Sequence, residues 1–156
     1  MTPVEFIEKF GKYFVEATEG TTIFPSVKAA QCVQETGWGQ HSIGNNIFGI
    51  KADGQYSKYW KGASTKAVSP EVNNGVTSSE KSSFRVYNSP EDSIRDHTEF
   101  LKQNARYDAV FNATTPEEQA KAIQAAGYAT DPNYAANLIS IINKNDFKKL
   151  DKKKRS

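Results

Sequence analysis

The sequence predicts an α+β domain that is mainly helical, with a small β-hairpin lobe set into a helical body. Three observations carry this prediction. A capping oxygen stands directly before a proline four times, at Thr2-Pro3, Ser89-Pro90, Thr115-Pro116 and Asp131-Pro132. Apolar residues recur at helical spacing behind these points. Between residues 53 and 88, aromatic and β-branched residues are instead interleaved with Gly, Ser and Asn.

Each helix has its own warrant. Proline suits the first helical position, where its missing N–H would have lacked a partner in any case. Glu5 and Glu118 stand three residues after their caps and are expected to complete capping boxes, while Asp92 suits the positive end of its helix. The first helix, 3–18, carries Phe6, Phe10, Tyr13, Phe14 and Ala17 on one stripe. A second, about 26–36, turns Val27, Ala30 and Val33 or Gln34 inward and ends at Gly37 or Gly39. Others follow at 90–104, 116–126 and 132–145, the last with Tyr134, Leu138, Ile141 and Ile142 inside. Asn74-Gly75 between Val72 and Val76 signals a two-residue hairpin turn, and Phe84-Arg85-Val86-Tyr87 a short strand.

Composition narrows the function. The chain has 156 residues, 37% apolar and 24% charged, which fits one globular domain. Apolar runs are too short for a membrane-spanning helix. With one cysteine, Cys32, and two histidines, His41 and His97, the sequence offers neither an internal disulfide nor a zinc cluster. Both histidines are expected at the surface, and Cys32 as a small core residue. The net charge of +2 is a property of residues 148–156, KKLDKKKRS, which hold six of the 20 basic and one of the 18 acidic residues. The remaining body, 14 basic against 17 acidic, is negative and has no basic stripe, so nucleic acid is not an expected partner. The expected division is a domain over 1–147 and a solvated basic tail over 148–156 that draws the protein towards anionic polymers. The first residues show no signal peptide, which points to phage release, injection or non-classical export.

Segment 31–51 carries the chemistry. Glu35 lies near the negative end of its helix, among Trp38, Ile47, Phe48 and Ile50. Both the dipole and desolvation raise a carboxyl pKa. An acid that stays protonated near neutral pH is what glycosidic bond cleavage requires, because the leaving oxygen must receive a proton. The competing reading is a solvated glutamate at a helix end. The following loop, with Gly37, Gly39, Gly44, Gly49, Asn45 and Asn46, is built for tight turns. Trp38 and Phe48 offer flat faces on which a sugar stacks, or else belong to the core.

These residues resemble a known family. Glu35-Thr-Gly-Trp-Gly, Asn45-Asn46-Ile-Phe-Gly-Ile-Lys51, Phe84-Arg85-Val86-Tyr87-Asn88-Ser89, Asn104-Ala105-Arg106-Tyr107 and Ala126-Gly127-Tyr128-Ala129-Thr130-Asp131-Pro132-Asn133-Tyr134 follow in order. Together they resemble the glucosaminidase domain of glycoside hydrolase family 73. That family includes bacterial autolysins and the wall-cutting domain of a flagellar rod-assembly protein. The resemblance implies a lysozyme-like fold with a cleft between helical body and β lobe. It implies hydrolysis of peptidoglycan glycan strands on the reducing side of N-acetylglucosamine, by a monomer at the bacterial wall without cofactor or metal. Glu35 then matches the general acid. Glu71 is the best match to the second carboxylate, with Glu80 as competitor. Tyr128 matches an active-site tyrosine, and Trp38, Asn46, Phe48 and Tyr107 are expected to contact substrate. The mechanism is open between water activated by Glu71 and attack by the substrate's own acetamido group. A lytic transglycosylase and a non-catalytic wall-binding module are the alternatives.

Overall fold

The computed structural model describes every residue except 55, 74, 75 and 156; for 68–73, 76–81 and 152–155 it describes the backbone alone. In chain order the elements are α1 (Pro3–Thr18), α2 (Pro25–Thr36), β1 (Ser64–Asn73), β2 (Val76–Arg85), α3 (Pro90–Lys102), a 3-10 helix (Ala105–Asn112), α4 (Pro116–Ala125), α5 (Tyr134–Lys144) and a last 3-10 helix (Phe147–Arg155). No helix among the described residues is long and apolar enough to cross a membrane.

The capping residues act mostly as the sequence predicts. Thr2 and Glu5 form a full capping box on α1. Ser89 Oγ accepts from Asp92 N, and Thr115 Oγ1 from Glu118 N, each at 3.1 Å. Glu118 does not close a box. Its carboxylate accepts from the Thr114 hydroxyl instead. Asp131 departs further. It folds into a local turn, accepting from Asn133 N at 2.8 Å, and α5 starts only at Tyr134. The amide of Ala135 in the first turn of α5 is satisfied from α4 by Gln124 Oε1, at 2.7 Å.

Helix α2 lies at the centre of the body. Every residue from Pro25 to Val33 is buried, as is Thr36, and only Gln34 and Glu35 reach the surface. Helix α1 covers α2 with Phe6, Phe10 and Phe14. Behind them, Phe147 stacks on Phe6, and Trp38 meets both rings edge-on.

The basic segment is not wholly a solvated tail. Asp151 is buried, accepting from Ser26 N at 2.9 Å and from Ser26 Oγ at 2.6 Å. The first turn of α2 has no side-chain cap at Phe24. A buried helix start needs acceptors for its amides, and a carboxylate also suits its positive end. The segment is therefore docked as far as residue 151, with Phe147 fully buried and Lys148 paired to Glu117 at 2.6 Å.

The β lobe is a two-stranded antiparallel ribbon, Ser64 opposite Arg85 through Asn73 opposite Val76. The predicted turn at Asn74-Gly75 lies outside the described residues. The strands are longer and more regular than the small, irregular lobe expected. The base of the ribbon is tied to the body by the amide of Ala52, which donates to the Ser83 carbonyl, by the Arg85 amide, which donates to the Ile50 carbonyl, and by a buried side-chain joint. The Arg85 guanidinium, 1% exposed, donates to Asp96 Oδ2 of α3 at 2.8 Å and to the carbonyls of Lys51 and Asp53. It lies 3.9 Å from the Trp60 ring centroid. Ser57 and Tyr87 also donate to Asp96.

Candidate active site

A cleft of about 360 Å³ opens beside the end of α2. Its wall includes Glu35, Phe48, Tyr107 and Tyr128 from the predicted set. Lys51, Asp53, His97, Phe100 and Arg106 line it as well. Helix α2 supplies Glu35, the loop after α2 supplies Phe48, and the 3-10 helix supplies Tyr107. Tyr128 follows the end of α4, where Gly127 at φ 83° makes the left-handed turn that delivers it.

Glu35 is the tuned group. Its surface faces the cleft and is accessible, yet protein atoms crowd the carboxyl from the other sides. That withdrawal from water pushes its pKa up to about 7. Tyr134 opposes this weakly, its hydroxyl donating to Glu35 Oε1 at 3.4 Å. Gln31 in turn donates from Nε2 to Tyr134 Oη at 3.2 Å, leaving the tyrosine hydrogen for Glu35. The left-handed turn at Gly37, φ 59°, ends α2 directly after Thr36.

Two residues expected against substrate are held elsewhere. Trp38 packs between Phe6 and Phe147, on the α1 side of the molecule. Asn46 is buried and pins the loop: its Nδ2 donates to the carbonyls of Ile50 and Arg85, and its Oδ1 accepts from the amides of Phe48 and Ile50. Neither lines the cleft. Asn46 instead fixes the bend that presents Phe48 there. The Glu71 and Glu80 side chains lie outside the described residues; their backbones pair with Ser78 and Ser69 on the ribbon.

The histidines divide. His41 is exposed, as expected, but His97 is fully buried. It follows Ile94 by three residues and precedes Leu101 by four, so it lies on the inward stripe of α3, and this spacing was the available signal. Its ring stacks on Phe48 with centroids 4.3 Å apart. Its Nδ1 lies 2.5 Å from Lys28 Nζ, and its Nε2 lies 2.8 Å from Tyr128 Oη. Lys28, also fully buried, is the residue that sequence reasoning missed, since an unpaired lysine is almost never placed inside. Cys32 sits in the core as expected. Burial pushes its thiol up to about 12, so it is inert as a nucleophile. Among the described residues no cluster of His, Cys, Asp and Glu is arranged to hold a metal ion.

Comparisons with known proteins show what the chain is similar to. The family model Glucosaminidase, described as mannosyl-glycoprotein endo-beta-N-acetylglucosaminidase, matches residues 11–147. Peptidoglycan hydrolase FlgJ of Salmonella typhimurium is 43% identical over 120 residues, 72% of this chain and 37% of that protein. Exo-glucosaminidase LytG of Bacillus subtilis is 29% identical over 154 residues, 94% of this chain and 52% of that protein. The crystal structure of a C-terminally truncated glycoside hydrolase domain of Salmonella FlgJ superposes with a TM-score of 0.74 at 36% identity, covering 93% of this chain and 98% of that one. The chain thus spans between about a third and a half of the length of these curated relatives.

Proposed function

From the premise that the chain belongs to the glucosaminidase family of glycoside hydrolases, we propose that it hydrolyses bacterial peptidoglycan at the β-1,4 bond on the reducing side of N-acetylglucosamine, with Glu35 as general acid. The observation that carries this reading is the carboxyl of Glu35, held at a pKa of about 7 on the wall of a cleft large enough for sugar rings. At neutral pH a large share of Glu35 is protonated. It gives that proton to the glycosidic oxygen as the bond to the anomeric carbon breaks. The carboxylate left behind accepts the Tyr134 hydroxyl hydrogen bond, which compensates the new charge. Glu71, carried on the ribbon, takes a proton from the water that attacks the opposite face of the sugar. The protein acts as a monomer at the wall, and its basic residues beyond 147 favour adhesion to anionic polymers.

The test is mass spectrometry of fragments released from purified peptidoglycan in ¹⁸O water. One solvent oxygen at a new N-acetylglucosamine reducing end is the expected product. An anhydro sugar would establish a transglycosylase, and intact strands a binding module. Glu71→Gln is expected to lose about 10²–10⁴-fold in turnover and to recover with azide, giving an α-azide. Loss in Glu80→Gln but not Glu71→Gln would move the second carboxylate to residue 80. Retained anomeric configuration would assign the attack to the acetamido group.

A further inference from the structure

Helix α2 carries polar side chains at positions 28, 31 and 35, spaced so that they share one face of the helix. Two of them lead to tyrosines. Gln31 reaches Glu35 through Tyr134. Lys28 leads through His97 to Tyr128, and this second chain has no part in the mechanism above.

A lysine that is fully buried needs a specific partner, because an uncompensated buried ammonium is costly. Lys28 has His97 Nδ1 at 2.5 Å, the Phe48 ring with its centroid 5.5 Å away, and the field of Asp96. The ring face and the carboxylate both favour the ammonium, against the burial that draws the Lys28 pKa well down. In the ammonium form that the ring face and Asp96 favour, Lys28 has only N–H donors, and the Nδ1 facing it is then the acceptor. The other nitrogen of a neutral imidazole then carries the hydrogen. Burial and the neighbouring lysine both hold His97 in that neutral form.

We propose that Lys28 and His97 are positioning residues that fix the direction of the Tyr128 hydroxyl: Lys28 Nζ donates to His97 Nδ1, His97 Nε2–H donates to Tyr128 Oη, and the Tyr128 O–H is left to donate to an acceptor oxygen of the glycan in the cleft. The inference rests on the reading of this cleft as the glycan site. It adds the polarity of a hydrogen bond. With the opposite tautomer, Tyr128 would spend its hydrogen on His97 and could only accept from the sugar. Phe48, stacked on the same imidazole, keeps the ring from turning.

Two experiments test this on the whole chain. The first leaves Lys28, His97 and Tyr128 untouched: long-range ¹H–¹⁵N spectra of the two histidines, with His97 distinguished from His41 by His41→Gln. The expected signature for His97 is a protonated Nε2 and an unprotonated Nδ1. A protonated Nδ1 would overturn the proposal. The second is a double-mutant cycle on wall fragments. Lys28→Met is expected to lower kcat by roughly tenfold, the scale of one misdirected hydrogen bond, with KM changed by less than about twofold. In a Tyr128→Phe background the same substitution is expected to cost nothing further. An equal loss in both backgrounds would make Lys28 a packing residue and sink the assignment. Glu35→Gln is run beside them. If it kept full activity, the glycan-site reading would fail, while the histidine spectra would still report the tautomer.

Discussion

The helical body and the β ribbon are built in opposite ways. Glu35 is the last but one residue of a helix buried along almost its whole length, and Lys28 and Gln31 on the same helix face are themselves tied down. The backbone of Glu71 lies on a two-stranded ribbon, which is tied to the body at its base by the Arg85–Asp96 pair and by backbone bonds of Ser83 and Arg85 to Ala52 and Ile50. The difference matches two kinds of work. A general acid needs a raised pKa, and only a dense, fixed surrounding supplies one. In the proposed reaction the second carboxylate comes from the ribbon, whose only described link to the acid is through the body at its base.

The comparison can be broken first at the acid. Glu35→Gln keeps shape but cannot donate, so turnover on purified peptidoglycan is expected to fall about 10²–10⁴-fold with the melting temperature hardly lowered. A folded variant keeping more than about a tenth of the activity would remove Glu35 from the mechanism. The joint comes next. Arg85→Met leaves Asp96 buried without its cation, which typically costs about 3–5 kcal/mol in denaturant unfolding. Turnover is expected to collapse with it, because the base of the ribbon loses its buried ion pair. Yet the pH at which residual activity is lost should stay put, since that limb belongs to the body. A displaced limb would show that the two regions share their electrostatics.

The third effect concerns pH alone. Activity is expected to fall as pH rises through about 7, where Glu35 loses its proton. Stability follows the same sign. The folded pKa lies above the unfolded value of about 4.3, so the contribution of protonated Glu35 is complete below that value and is lost as pH rises through about 7. Melting curves of Glu35→Gln should not show this decline, and a parallel decline in both proteins would assign it to another group. The smallest effect is the most remote. Asp151→Ala removes the acceptor for Ser26 N and is expected to cost about 1–2 kcal/mol, as loss of a helix cap does. Full stability in Asp151→Ala would mean that α2 starts without help from the last 3-10 helix.

What could be read in advance also divides between the two regions. Local rules place the helices well, because a capping oxygen before a proline and an apolar stripe are written within a few residues. Glu35 is legible for the same reason: helix end, glycine and apolar neighbours are all adjacent in the chain. Asp131 and Glu118 show the limit, since partners at Asn133 and Thr114 compete for the same carboxylates. The misses are long-range. Nothing near Lys28 announces His97, and nothing near Ser26 announces Asp151; each pair is created by the packing of α2 against other elements. Trp38 lies away from the cleft for a related reason. A flat ring beside an acid suits a sugar, but Phe6 and Phe147 claim it from distant parts of the chain.

The contact between Ser26 and Asp151 joins positions 125 residues apart. A ribosome makes α2, with Glu35 on it, long before it makes the carboxylate that closes the first turn of that helix. At about 5–20 residues per second, the interval is on the order of ten seconds. Through that interval the helix start has exposed amides where the finished protein has a buried cap, and the surfaces contributed by α3, α4 and α5 are still arriving. The helix that bears the acid is therefore among the first parts to be synthesised and among the last to be completed.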